Sequence, residues 1–158
     1  MKRIWNLFIT IAISPETLVA LVYVLLYMRA PQIFQSLGAQ TRGNDESIKF
    51  LALVPVALLS LVIHGRKDLL FPGHPKNNLL QEWPEYYHIQ DRFWVTVLFC
   101  GVCIFLTVGI WALHLPLTKP RWLAIFLCSI SVSVVTYFCF LNATIQVRRI
   151  LSKQTTEK

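Results

Sequence analysis

Four apolar stretches separated by polar segments dominate the chain. The first runs from Ile4 to Met28, the second from Ile48 to Ile63, the third from Phe93 to Leu113 and the fourth from Trp122 to Ile145. At a helical rise of ~1.5 Å per residue, the third and fourth can each cross a hydrocarbon core of ~30 Å. The second is short; it crosses if Lys49 snorkels outward and the bilayer thins locally, with Pro55 as a kink point. Lys2 and Arg3 precede the first stretch as they would in a signal peptide. That stretch is longer than the usual ~7–15 apolar residues, however, and no small-x-small cleavage site follows it, so a retained span is expected. The pattern predicts an all-α, polytopic membrane protein with four transmembrane helices, forming a single domain over residues 1–158.

Charge orients this arrangement. Ten of the Lys and Arg residues fall in the N-terminal segment, the loop 64–92 and the tail 146–158. Five fall in the other two connections: Arg29, Arg42 and Lys49, then Lys119 and Arg121. The positive-inside rule therefore puts both chain ends and the 64–92 loop in the cytoplasm. Trp5 and Trp94 come at the inner interface and Trp111 and Trp122 at the outer one, where an indole with an apolar body and a polar N–H prefers to sit. The net charge of +7 is read as membrane anchoring, with no direct nucleic-acid binding expected. With 55% hydrophobic and only 15% charged residues, the chain is neither a disordered polymer nor an ordinary soluble domain. The external connections, 30–47 and 114–121, read as an exposed polar loop and a tight hairpin.

Ser14-Pro15-Glu16-Thr17 interrupts the first apolar run. Ser caps, Pro has no N–H to leave unpaired and Glu opposes the positive helix end, so this is a helix start. Two arrangements fit. One is a single helix from about Ile4 to Met28, kinked at Pro15, with Glu16 near mid-membrane as a candidate ion or proton site. In the other, Lys2 to Ile13 lies along the inner interface, a new helix begins at Ser14, and Glu16 caps it at the cytoplasmic interface.

Small polar residues recur at helical spacing in the last two spans. Thr96, Cys100, Cys103, Thr107 and His114 share one face of the third, and Ser129, Ser133 and Thr136 form a ridge on the fourth. Cys128, Cys139 and Asn142 form a second ridge, which implies more than one helical neighbour. Such faces let membrane helices approach closely and bond across the contact, either within one chain or between copies. Cys100 and Cys103 have a metal or redox spacing, but lipid disfavours the thiolate and no second pair accompanies them; packing is the expected role.

The 64–92 loop carries Phe71-Pro72-Gly73 and then Trp83-Pro84-Glu85-Tyr86-Tyr87, an amphipathic surface for lipid headgroups or a soluble protein partner. Arg148 and Arg149 suit a helix C-terminus and anionic lipid. His64, His74 and His88 with Glu82, Glu85 and Asp91 match no metal-ligand spacing. No nucleophile, acid–base pair or phosphate-binding loop is recognisable, so neither an enzyme nor a cofactor is expected.

The four-span plan, the Ser14-Pro15-Glu16 break and the aromatic cytoplasmic segment resemble the membrane subunit of the Kiwa anti-phage defence system (KwaA-like). The resemblance implies a homo-oligomer in the bacterial inner membrane, a tetramer being the expected form, that senses phage attack and docks a soluble DNA-binding effector. The leading expectation is thus a non-enzymatic sensor or scaffold. The alternatives are a small proton or ion channel or transporter that uses Glu16, and a holin-like pore.

Overall fold

A computed structural model describes residues 14–40, 48, 50–70 and 86–156, with the backbone alone described at 66–70, 86–90 and 147–156. Among the described residues the fold is all-helical, with five helices and no strand. Helix α1, Pro15–Arg29, starts as the capping chemistry requires. Ser14 is extended, and its hydroxyl accepts the Thr17 N–H at 3.3 Å and pairs with the Thr17 hydroxyl at 3.0 Å. A helix start at Ser14 is thus observed; residues 1–13, on which the two arrangements differ, lie outside the described residues.

At Ala30 the chain turns sharply. Helix α2, Pro31–Gln40, is bent by 92° from α1, so part of the expected exposed connection is helical. Pro31 suits a first helical turn, and Phe34 is buried beside the Tyr27 ring at 6.0 Å. Gly38 lets α2 settle on the hairpin, since a Cβ there would meet the Thr118 carbonyl oxygen at 2.9 Å.

Helix α3, Val54–Leu70, begins after a turn at Ala52–Leu53. Pro55 therefore occupies the first turn of a helix, where its missing N–H costs nothing, and does not kink a span. The helix also continues past Ile63 into the expected loop. Helix α4, Tyr86–Ala112, starts seven residues before Phe93. Helix α5, Pro120–Thr156, runs through the basic tail. The expected 64–92 loop is thus helical at both ends, because Arg66, Lys67 and Asp68 are tolerated in a helix once it has left an apolar environment.

The helices alternate in direction. Phe93 of α4 meets Phe140 of α5, with ring centroids 6.3 Å apart, while Ile110 packs with Phe126; α4 and α5 are therefore antiparallel. Ala52 joins the Ile110–Phe126 cluster and Gly65 approaches Phe140, so α3 runs parallel to α5. Helix α1 is antiparallel to α5, because Tyr23 bonds Ser131 while Gly38, beyond the bend, approaches Thr118 just before the start of α5.

Two helical segments are long and apolar enough to cross a membrane, Asp91–Ala112 and Pro120–Gln146, with mean hydropathies of 2.4 and 2.2. The bent pair α1–α2 makes a third if it counts as one span, and Val54–Gly65 is a shorter apolar helix. The outer surface agrees with lipid contact. Phe105, Met28 and Phe50 are 79%, 73% and 72% exposed, and Leu18, Leu98 and Phe138 are more than half exposed. A water-soluble monomer rarely carries so large an apolar surface. Trp94 and Trp111, both exposed on α4, stand ~26 Å apart along the helix axis, close to the thickness of a hydrocarbon core.

Helix α4 ends in a Schellman motif. The Leu115 N–H reaches the Ile110 carbonyl at 3.0 Å and the His114 N–H reaches that of Trp111 at 3.1 Å. His114 takes the left-handed position, φ 48°, usually given to glycine. It is therefore exposed in a turn and does not extend the Thr96–Thr107 face.

Candidate functional site

The end of the bundle where α1 begins holds a buried acid. Ser14 and Glu16 are each only 2% exposed. Glu16 lies within electrostatic range of Cys100 on α4 and Cys139 on α5, and α1 packs against α5. Its Oε2 is buried and has no hydrogen-bond partner among the described residues. The Ser14 and Thr17 hydroxyls are bonded to each other, and Ser14 also accepts the Thr17 N–H.

Magnitudes bear on what this means. A carboxylate in a first helical turn gains ~0.3–1 kcal/mol from the helix dipole. Leaving a buried polar atom unpaired costs ~1–3 kcal/mol, and more if it is charged. The penalty is the larger. Glu16 is both a first-turn residue and a buried one.

One residue of the small polar face, Cys100, lies within electrostatic range of this acid. Thr96, Cys100, Cys103, Thr107, Ser129, Ser133 and Thr136 are all buried within the single chain, at 5% exposure or less. The antiparallel register brings Cys103 within hydrogen-bonding reach of Ser133. The hydroxyls otherwise bond back to their own helices. Thr107 donates to the Cys103 carbonyl at 2.9 Å, Ser133 to that of Ser129 at 2.8 Å and Thr136 to that of Val132 at 2.7 Å. Thr96 and Ser129 do the same. Bonding across the helices, the sequence expectation, gives way because a carbonyl one turn back satisfies each hydroxyl without constraining the neighbour. What the face contributes is small volume.

Tyr23 and Ser131 escaped the sequence reading. Their hydroxyls meet at 2.8 Å and join α1 to α5. Ser131 lies between Ser129 and Ser133 but points to a different helix, a sign visible in the Ser-x-Ser-x-Ser spacing. Cys100, Cys103, Cys128 and Cys139 are free thiols. Among the described residues, no three His, Cys, Asp or Glu side chains converge to hold a metal ion. Trp83 lies outside the described residues, and so do the side chains of Tyr86, Tyr87, Arg148 and Arg149. At the opposite end, Ala52, Ile110, His114 and Phe126 help line a half-open cavity of about 190 Å³.

No protein-family model, curated protein or solved structure matches this chain.

Proposed function

We propose that this chain is a non-enzymatic sensor or scaffold that crosses the bacterial inner membrane four times. Its two ends and the 64–92 segment lie in the cytoplasm, and it self-associates and presents that side to a soluble protein partner. One observation carries the reading. Helices α3, α4 and α5 all continue beyond their apolar segments at the same end of the bundle, to Leu70, from Tyr86 and to Thr156. At ~1.5 Å per residue, the last ten residues of α5 extend ~15 Å past Gln146. This end carries Arg66, Lys67, Arg92, Arg148 and Arg149, so it is basic and helical, suited to anionic lipid and to a docked protein. The alternating helix directions support four crossings, and the Kiwa resemblance supplies anti-phage defence as the setting.

The test uses the tagged full-length chain purified from native membranes. Trp83→Ala with Tyr86→Ala abolishes co-purification of the soluble partner while insertion is unchanged; retained co-purification refutes the reading. Reporter fusions after Gln40 and after Lys76 should report opposite sides of the membrane. A second reading, in which Glu16 passes protons or cations across the membrane, is favoured by its unpartnered buried oxygen. It predicts flux in proteoliposomes that Glu16→Gln removes.

A further inference from the structure

The hairpin end of the bundle, opposite the basic helical extensions, holds a cavity with a chemistry of its own. Ala52, Ile110, Leu117 and Phe126 form its inner wall, and all four are buried members of one apolar cluster. Trp111 and His114, both exposed, stand at its mouth. The cavity is half-open and measures about 190 Å³. Sites that enclose a whole small molecule run to ~300–1,000 Å³, so this one takes part of a ligand and leaves the rest outside. Water fills an apolar space poorly, because each molecule needs polar partners. A short length of hydrocarbon suits the walls better.

The rim is basic. Lys119 and Arg121 are exposed on the same hairpin, and residues 113–122 include no Asp or Glu. The Lys119 N–H bonds the carbonyl of Pro116, itself a wall residue, at 3.1 Å, which keeps the lysine in the turn that borders the cavity. The Arg121 guanidinium lies over the Trp122 ring, 4.7 Å from its centroid, and Trp122 packs against the same apolar cluster. A planar cation is thus positioned against that cluster, and such a group takes a phosphate through two N–H donors at once. Helix α2, whose Gly38 backs onto Thr118, brings no charged residue to this end. His114 adds a ring N–H, and its left-handed backbone, φ 48°, is a cost of the kind met at functional sites.

Position indicates the source of the ligand. Trp94 and Trp111 bracket a hydrocarbon thickness along α4, so a cavity with Trp111 at its mouth sits where acyl chains meet headgroups. We propose that this cavity binds one anionic phospholipid. The upper part of an acyl chain enters against Ala52, Ile110 and Phe126, while the phosphate is held by Arg121, Lys119 and the His114 N–H. A zwitterionic lipid fits the same walls but gains less from the rim, because it carries a cation of its own. The site is independent of the partner-docking reading, which concerns the opposite end of the bundle, and each fails in its own experiment.

The test is made on the full-length chain in phosphatidylcholine vesicles, with Trp5→Phe, Trp83→Phe and Trp94→Phe so that Trp111 and Trp122 report. Phosphatidylglycerol brominated on its acyl chains should quench them at a lower mole fraction than phosphatidylcholine brominated in the same way. Each cation near the membrane surface is worth about a fivefold preference for anionic lipid, so Lys119→Gln with Arg121→Gln should lower the ratio of the two quenching constants about 25-fold. Ala52→Leu fills the cavity and should remove the phosphatidylglycerol advantage with the basic pair intact. Should Ala52→Leu fail to fold, the exposed pair still decides the matter. Equal quenching by the two lipids in the parent chain means unselective surrounding lipid only, and overturns the proposal. So does an anionic preference that survives loss of both cations, or that folded Ala52→Leu keeps in full. Displacement of the brominated lipid by soluble glycerol phosphate makes a free phosphate compound the ligand, and overturns it equally.

Discussion

Removing the Tyr23 hydroxyl tests whether α1 is held to α5 by chemistry or by shape alone. The Tyr23–Ser131 bond is 2.8 Å long and joins helices far apart in sequence. Side-chain hydrogen bonds between membrane helices average ~0.6 kcal/mol and reach ~1.7 kcal/mol at most. After Tyr23→Phe, Ser131 need not stay unpaired, because it can turn back onto its own helix as Ser129 and Ser133 do. The loss should therefore fall near the average, about 0.5–1 kcal/mol. A double-mutant cycle with Ser131→Ala should recover a coupling of ~0.6 kcal/mol, a factor of about three in the unfolding constant. Reversible unfolding in mixed detergent micelles, followed by tryptophan fluorescence, measures all four corners. Coupling indistinguishable from zero refutes the bond as a tether. A loss above ~2 kcal/mol for Tyr23→Phe alone refutes the argument that Ser131 finds a substitute partner.

Further outcomes follow from close contacts, their absence and the left-handed turn residue. Gly38→Ala puts a methyl 2.9 Å from the Thr118 carbonyl oxygen, so α2 must shift; the cost of ~1–3 kcal/mol from overpacking outweighs the ~1 kcal/mol gained in helix propensity. Gly101→Ala meets nothing within 4 Å and should be neutral or stabilising by up to ~1 kcal/mol in the same unfolding assay. His114→Gly relieves a left-handed non-glycine residue and should stabilise the α4–α5 hairpin by about 1 kcal/mol, read as a higher Tm. Thr107→Leu enlarges a side chain with no exposure and should destabilise by ~1–3 kcal/mol, while Phe105→Ala, on the 79% exposed outer face, should change stability by ~0.5 kcal/mol or less.

The last two helices were legible in the sequence because each is one long apolar run whose period shows directly. The Ser14 cap was legible for the same reason: Ser-Pro-Glu has a single local meaning. Helix α2 was not, although Ile33, Phe34 and Leu37 have helical spacing. Its Gln, Ser and Gly residues have the composition of a loop, and what holds it is tertiary: Tyr27 against Phe34, and Gly38 against Thr118. Pro55 misled for a related reason, since a proline inside an apolar run signals either a kink or a start, and only the turn at Ala52–Leu53 distinguishes them. The helical ends of the 64–92 segment were hidden because charged residues mark where lipid stops, not where a helix stops.

The buried polar groups do not all carry the same information. A hydroxyl in a membrane helix can satisfy itself on the carbonyl one turn back, and Thr96, Thr107, Ser129, Ser133 and Thr136 all do so. Such residues bring α4 and α5 together at little cost, and having no unmet need they can bind nothing further. A glutamate has no comparable exit. When ionised its oxygens accept only, the carbonyls nearby are acceptors too, and the first-turn N–H of Thr17 is already taken by Ser14. Of the buried side-chain oxygens and nitrogens among the described residues, it is Glu16 Oε2 that lacks a partner. The unmet need therefore sits where α1 packs on α5, and not along the well-satisfied seam between α4 and α5.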